Sequence, residues 1–190
     1  MIIMSSFSKR KDVRLNKALQ RLCCFVLVFL VLAFSNLPKA QAYNFNGFVL
    51  SNPTNISYSI SSTVGGYISG MSNFVEIWSG FCSEVSFAQQ AWTGTENIGI
   101  YGNLNLSNGT YAICAHANNN RHVITLFNDY TQATSVEQHE TIVHEVGHAL
   151  GSAHCQPAQE SKSVMRANDF NNKPYPLSDD RAGISALYGY

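Results

Sequence analysis

Residues 144–154 read His-Glu-Val-Gly-His-Ala-Leu-Gly-Ser-Ala-His. On a helix, His144 and His148 stand four residues apart, so their imidazoles share one face and can hold one metal ion. Glu145 sits on the adjacent edge of that face, within reach of a water on the ion. Gly151 follows the helical run, where a glycine can take positive φ and end a helix. His154 can then approach the same ion from outside the helix. Three neutral imidazoles and one water make a four-coordinate zinc with an open position, the arrangement of catalytic rather than structural sites. The chemistry implied is hydrolysis of an amide. The ion activates the water, and Glu145 takes its proton and passes it to the leaving amine. Chance supplies all five of these positions with odds of order one in 100,000. A purely structural zinc would have no need of Glu145 beside an open position.

These side chains must be positioned by the rest of the chain. The motif helix starts near Ser135 or Val136 and runs to Leu150. Ile56–Ile60 alternates like a strand with one buried face. From Phe74 to Trp92, apolar residues recur at helical spacing (Phe74, Ile77, Trp78, Phe81, Val85, Ala88, Trp92), which predicts a helix with a possible break at Ser79-Gly80. Ile98–Tyr101, Thr110–Ala117 and His122–Phe127 read as strands, with Asn108-Gly109 and Asn118–Asn120 as turns between them. A last helix starts at Ser178, an expected N-cap, with Asp179 and Asp180 in the first turn suiting the helix dipole. Strands and helices interleave in one α+β domain. His139 lies about 140° around the helix from His144 and cannot share the ligand face, so it is expected in solvent.

Formal net charge is zero, but residues 1–42 hold seven of the twelve Lys and Arg and one of the twelve acids. Residues 43–190 carry 5 basic and 11 acidic groups, net −6, which argues against nucleic acid as a partner. The basic N-terminus leads into a 13-residue apolar run, Leu22–Phe34, then polar residues and Ala40-Gln41-Ala42. The run is too short to span a bilayer and fits a signal peptide. Cleavage is expected after Ala42, giving a secreted, monomeric domain 43–190 with no stable membrane association. An uncleaved anchor is the alternative. Cleavage leaves Cys82, Cys114 and Cys155, an odd number that allows at most one internal disulfide. Asn55, Asn105 and Asn108 fit glycosylation acceptors.

The motif resembles that of the metzincin zinc endopeptidases, and of the matrixin branch among them. Met165, in Ser163-Val164-Met165, stands eleven residues after His154 and looks like the family's Met-turn beneath the zinc ligands. Leu177–Gly189 looks like the matrixin closing helix. Ala115-His116-Ala117 resembles the edge strand that forms the upper rim of the cleft. The resemblance implies a metzincin-type domain with a twisted mixed sheet, a long active-site helix and a C-terminal helix. It implies one catalytic zinc on His144, His148 and His154, with Glu145 as general base and a protein or peptide laid along the rim strand as substrate. It also suggests that Asp179 and Asp180 anchor the Met-turn or the mature N-terminus.

The departures from the family matter too. Tyr43 would pass straight into the first strand, leaving no cysteine-bearing propeptide. Residues 97–128 contain no Asp or Glu, so no carboxylate-based calcium site and no full second zinc site are expected there. His116 matches one ligand position of that second zinc and is read as a rim residue. His122 is expected at a strand start. Arg166 follows Met165 in place of the usual pattern, leaving Phe170 and Tyr175 as candidates for the specificity-pocket wall. Two competing readings remain: a zinc amidase on cell-wall peptide, and a zinc-holding module that binds peptides without cutting them.

Overall fold

A computed structural model describes residues 43–189; the expected leader and its cleavage after Ala42 lie outside the described residues. Five strands form one sheet: β1 (Ile56–Ile60), β2 (Phe87–Gln89), β3 (Ile98–Asn103), β4 (Ala112–Asn118) and β5 (Arg121–Phe127). Their order is β2-β1-β3-β5-β4. The first four in that order run parallel, and β4 joins antiparallel to β5 through a tight turn. The sheet is therefore mixed, with β4 on its edge. Among the described residues four α-helices accompany it: α1 (Met71–Phe81), α2 (Asn128–Gln132), α3 (Ser135–Ala149) and α4 (Ser178–Tyr188).

The core lies between the sheet and α1 and α3. Ile56, Tyr58, Ile98, Ile100, Ile124 and Leu126 of the sheet are fully enclosed, as are Val75 and Trp78 of α1 and Val143 and Val146 of α3. Burying each such side chain favours folding by about 1.5–3 kcal/mol. No helix among the described residues is long and apolar enough to cross a membrane.

Three expectations fail. The helix expected over 74–92 stops at Phe81, where the Cys82 N–H donates to Trp78 O at 2.8 Å. Val85 and Ala88 fit helical spacing, but Ile56 N donates to Ser86 O and Ser86 N to Pro53 O, and the chain pairs with β1 as β2. Parallel pairing gives backbone groups partners that periodicity cannot reveal. Thr110 and Tyr111 precede β4 rather than belonging to it. Ser178 is the first helical residue, not the cap. The Leu177 N–H is taken instead by the Asp180 carboxylate at 2.7 Å. The short α2 was not anticipated. Its Asp129 accepts from Ser107 Oγ at 2.8 Å and Asn108 N at 3.0 Å, fixing the loop before β4.

Between β1 and β3, Glu96 is 2% exposed and accepts from Ser59 Oγ at 2.6 Å, Thr93 Oγ1 at 2.9 Å and Thr95 N at 2.9 Å. Burial pushes its carboxyl up, but the Ser59 hydroxyl, its own N–H and the Thr93 hydroxyl and N–H outweigh that and bring it down to about 2. A depressed folded-state pKa contributes stability above the unfolded pKa of about 4.3 and loses it as pH falls through about 2. Glu96→Gln is therefore expected to flatten the acid limb of stability between those values, read from urea unfolding midpoints against pH.

Candidate active site

Helix α3 opens on a reciprocal cap. Thr134 Oγ1 accepts from Glu137 N, and Glu137 Oε2 accepts from Thr134 N at 2.8 Å. This capping box satisfies two donors that a helix start leaves free. The helix ends where Gly151 takes φ +96°, a conformation that disfavours any residue with a Cβ. A Cβ at Gly151 would also collide with Phe48 O and lie 2.8 Å from Leu187 Cδ2. The reversal brings His154 back beside the helix.

There the ligand-capable nitrogens of His144, His148 and His154 all lie within 4.8 Å of one another. Among the described residues this is the one such group of three or more His, Cys, Asp or Glu. His144 Nδ1 lies 2.8 Å from Val164 O, and His148 Nδ1 lies 2.8 Å from Ser152 O. A carbonyl only accepts, so both Nδ1 atoms carry hydrogen and both neutral rings present a bare Nε2. His148 Nε2 and His154 Nε2 are 3.3 Å apart. Burial holds His144 down to about 3 and His148 down to about 4, so both stay neutral and fit for coordination. A donor set of converging, neutral imidazoles fits a zinc ion.

The carbonyls that orient these rings are themselves held. Asp180, 2% exposed, accepts from Ser163 Oγ and from Val164 N at 2.8 Å, besides the Leu177 N–H. It thus ties the start of α4 to the turn that carries Met165. Burial pushes the Asp180 carboxyl up, against the opposing bonds from Ser163, Val164 and Leu177. Asp179 is also buried but takes no part in that turn's bonds. On the other side, Asn46 Nδ2 donates to His148 O at 2.8 Å and Ser152 O at 3.3 Å. Met165 is buried against α3 at Gly147, where a Cβ would strike Met165 Sδ and lie 2.9 Å from Trp78 Cζ2. Glycine in mid-helix costs about 1 kcal/mol but lets the Met165 turn close onto the helix.

Glu145 is 7% exposed, and burial pushes it up to about 7, against the opposing pull of the nearby Cys114 backbone on β4. Ala115, His116 and Ala117 all lie on β4, the free edge of the sheet, with both alanines exposed. His116 turns inward, stacks on Phe48 at 4.2 Å between centroids, and has its Nδ1 2.8 Å from His122 Nδ1. His122 is the second residue of β5 and fully buried.

A cavity of about 630 Å³ opens beside His144 and Glu145, lined among others by Tyr111, Glu140, Arg166 and Phe170. Phe170 meets Tyr111 edge-on at 5.2 Å. Tyr175, expected on this wall, is not there; it stacks on Phe81 at 5.7 Å. Nor is His139 free in solvent, because its ring stacks on Phe74 at 3.7 Å. Cys82, Cys114 and Cys155 are all free thiols, and burial pushes the Cys155 thiol up.

Comparison with known proteins now has a fold and a site to bear on. The family model for matrixin matches residues 77–189. The chain belongs to the matrixin family. No curated protein matches it in sequence. Two solved structures of myroilysin share the fold. One gives TM-score 0.54 at 13% identity, covering 78% of this chain and 98% of that one. The other gives 0.52 at 16%, covering 81% and 97%. The GM1-bound form of the ECX AB5 holotoxin gives 0.56 at 12%, covering 77% and 84%. As a matrixin, the protein is a metallopeptidase with a metzincin-type fold, and the family implies a zinc ion that its histidine triad could hold.

In this matrixin, Asn46, Glu140 and Gly147 were not singled out from the sequence. Gly147 stands inside the motif, and Glu140 stands four residues before His144, so spacing carried a signal for both. Asn46 had none, because its partners are about a hundred residues away. Asp180→Asn replaces an acceptor by an amide group facing donors. It is expected to destabilise the fold by about 1–3 kcal/mol, seen as a lowered urea midpoint.

Proposed function

We propose that the protein is a secreted zinc-dependent endopeptidase, with His144, His148 and His154 as metal ligands and Glu145 as general base. The observation that carries this reading is the pairing of two fixed tautomers with a buried carboxylate on the adjacent helix edge. Zinc bound by the three imidazoles would supply Lewis acidity, lowering the pKa of a water to about 7 and polarising a carbonyl. Glu145 receives the proton of the attacking water on its carboxylate and delivers it to the leaving amine nitrogen. Burial suits it to both acts, because a carboxyl pushed toward neutral pH gains and releases a proton readily. Met165 takes no chemical step and packs beneath the ligands. The free edge of β4 is suited to an extended peptide added as a strand, main chain to main chain, along Ala115, His116 and Ala117. Export by the N-terminal leader and a monomeric mature chain complete the proposal.

The test uses the protein secreted from the full chain. Its N-terminus should read Tyr43, and it should cut casein and lose that activity to a chelator. Glu145→Ala should keep one zinc per chain while activity falls by about 10²–10⁴-fold, the range of a general base. If wild type and variant both hold zinc and neither cuts casein, the reading fails and a peptide-binding module takes its place. Action on wall fragments without action on casein would favour the amidase.

A further inference from the structure

One face of the sheet meets α1 and α3 through Ile98, Ile100, Ile124 and Leu126. Alternation turns the other residues of each strand to the opposite face. Register sets Ser59, Gly99, Val123 and Ala115 in one row across that second face, with Tyr101 and Ile113 in the next. The loop of residues 90–97 reaches this face at Gly99. A Cβ there would lie 3.1 Å from Trp92 Cη2 and 3.2 Å from Trp92 Cζ3, so the six-membered ring of Trp92 rests on bare backbone. The loop is pinned on both sides of the indole. Gln90 N donates to Tyr58 O at 2.8 Å, and Thr93 N and Oγ1 donate to Glu96 Oε2 at 3.3 and 2.9 Å. Glu96 is itself held by Ser59 Oγ at 2.6 Å. Trp92 nevertheless keeps 44% of its surface exposed. A large ring is thus fixed in place and offered to solvent, with its ordering entropy already lost.

This part of the chain is also nearly without charge. Over residues 85–128 the acids and bases are the buried Glu96 and Arg121, although residues 43–190 carry 5 basic against 11 acidic groups, net −6. A nucleic acid or an anionic membrane finds no basic stripe here. A second copy of the chain would bring another net charge of −6 toward the first. Nor is there the broad apolar centre of a protein interface, because Ser59, Gly99 and Ala115 interrupt the row. A rigid exposed indole with a polar rim favours a sugar ring, whose apolar C–H face stacks on the aromatic face while its hydroxyls meet the rim. The rim is present. Thr93 and Thr95 expose hydroxyls 2.9 Å apart, and Arg121 Nη2 lies 3.6 Å from where a Cβ of Gly94 would be.

We propose that this sheet face is a carbohydrate-binding platform, with Trp92 as its stacking residue and an extended, uncharged polysaccharide as its ligand. The row that starts at Ser59 ends at Ala115 on β4, so a glycan seated on Trp92 keeps the cleft close to proteins of the same matrix. The platform lies outside the cleft and does not depend on the endopeptidase reading.

The test compares the protein secreted from the full chain with Trp92→Ala and Trp92→Phe. The chain has two tryptophans and Trp78 is fully enclosed, so a ligand-induced change in indole fluorescence reports Trp92. Cellohexaose and N-acetylchitohexaose are the uncharged probes, and hexagalacturonate is the charged control. A saturable change is expected with an uncharged probe and none with the control. Retention on the matching insoluble polymer, cellulose or chitin, should fall by about tenfold or more in Trp92→Ala. It should fall less in Trp92→Phe, which keeps a ring. Casein cleavage should be equal in all three proteins. Silence with both uncharged probes would overturn the proposal, as would an equal response to hexagalacturonate or undiminished retention of Trp92→Ala. Loss of casein cleavage in a folded Trp92→Ala would place the residue in the cleft and overturn it too. A change in emission on concentrating the protein alone, with doubled mass in sedimentation, would assign the face to a second copy instead. If wild type binds glycan but cuts no casein, the endopeptidase reading fails and the platform stands. Should Trp92→Ala not fold, Trp92→Phe and the wild-type titrations still decide.

Discussion

A neutral histidine is held to one tautomer, and so presents a fixed bare nitrogen to a metal, when the proton on its other nitrogen has an acceptor. Two of the three histidines meet that condition through backbone carbonyls that lie outside the helix carrying the rings. Val164 O takes the proton of His144, and Ser152 O takes that of His148. The turn just past the helix end, at Ser152, and the more distant segment at Val164 must therefore be held within hydrogen-bond reach of the rings. Much of the architecture around α3 is the means of delivery.

On one side the means is a buried carboxylate. Asp180 gathers Ser163, Val164 and Leu177, so one side chain starts α4 and sets the height of the Val164 carbonyl. Three donors do not fully offset its burial, because the carboxyl is still pushed up from its usual range. Such a group is tolerated where it organises more than it costs, and it organises the Met165 turn. On the other side a neutral amide suffices. Asn46 binds both His148 O and Ser152 O, and its own backbone N–H donates to Gly151 O at 2.9 Å. Between the two, Gly147 removes the one Cβ that would keep Met165 and Trp78 from closing on the helix. Trp78 also donates its Nε1–H to Val143 O at 3.1 Å, joining α1 to α3 where the motif begins.

This division explains what could be read in advance. The three converging histidines, the carboxylate of Glu145 beside them, the helix break and the edge strand are local patterns, carried by residue type and short spacing. The family resemblance extended them to the mixed sheet and the closing helix. Three failures came where a distant segment decided the outcome. Ala88 looked helical until β1 offered its backbone a partner. Tyr175 was one of two candidates for the cavity wall, because the family pattern lapses after Met165, but Phe81 offered it a stacking face. His139 was placed in solvent from its angle around one helix, and a second helix supplied Phe74. In each case the neighbour that decided the outcome lay elsewhere in the chain.

The stripe of α3 that carries the chemistry is longer than the motif. Glu140, His144 and His148 follow one another at intervals of four, each step turning about 40° around the helix. Glu145 lies about 100° beyond His144 in the same sense, so Glu140 and Glu145 flank the ligand nitrogens from opposite edges. Both carboxylates are buried, but their surroundings differ in kind. Glu145 is pushed up to about 7 by burial. Glu140 has both oxygens taken by amides of a single loop. A carboxylate with open acceptor capacity can exchange a proton with whatever enters the cleft. One whose oxygens are committed to the backbone can only hold that backbone in place. The same residue type at two edges of one helix is thus set to different work by how many amides reach it.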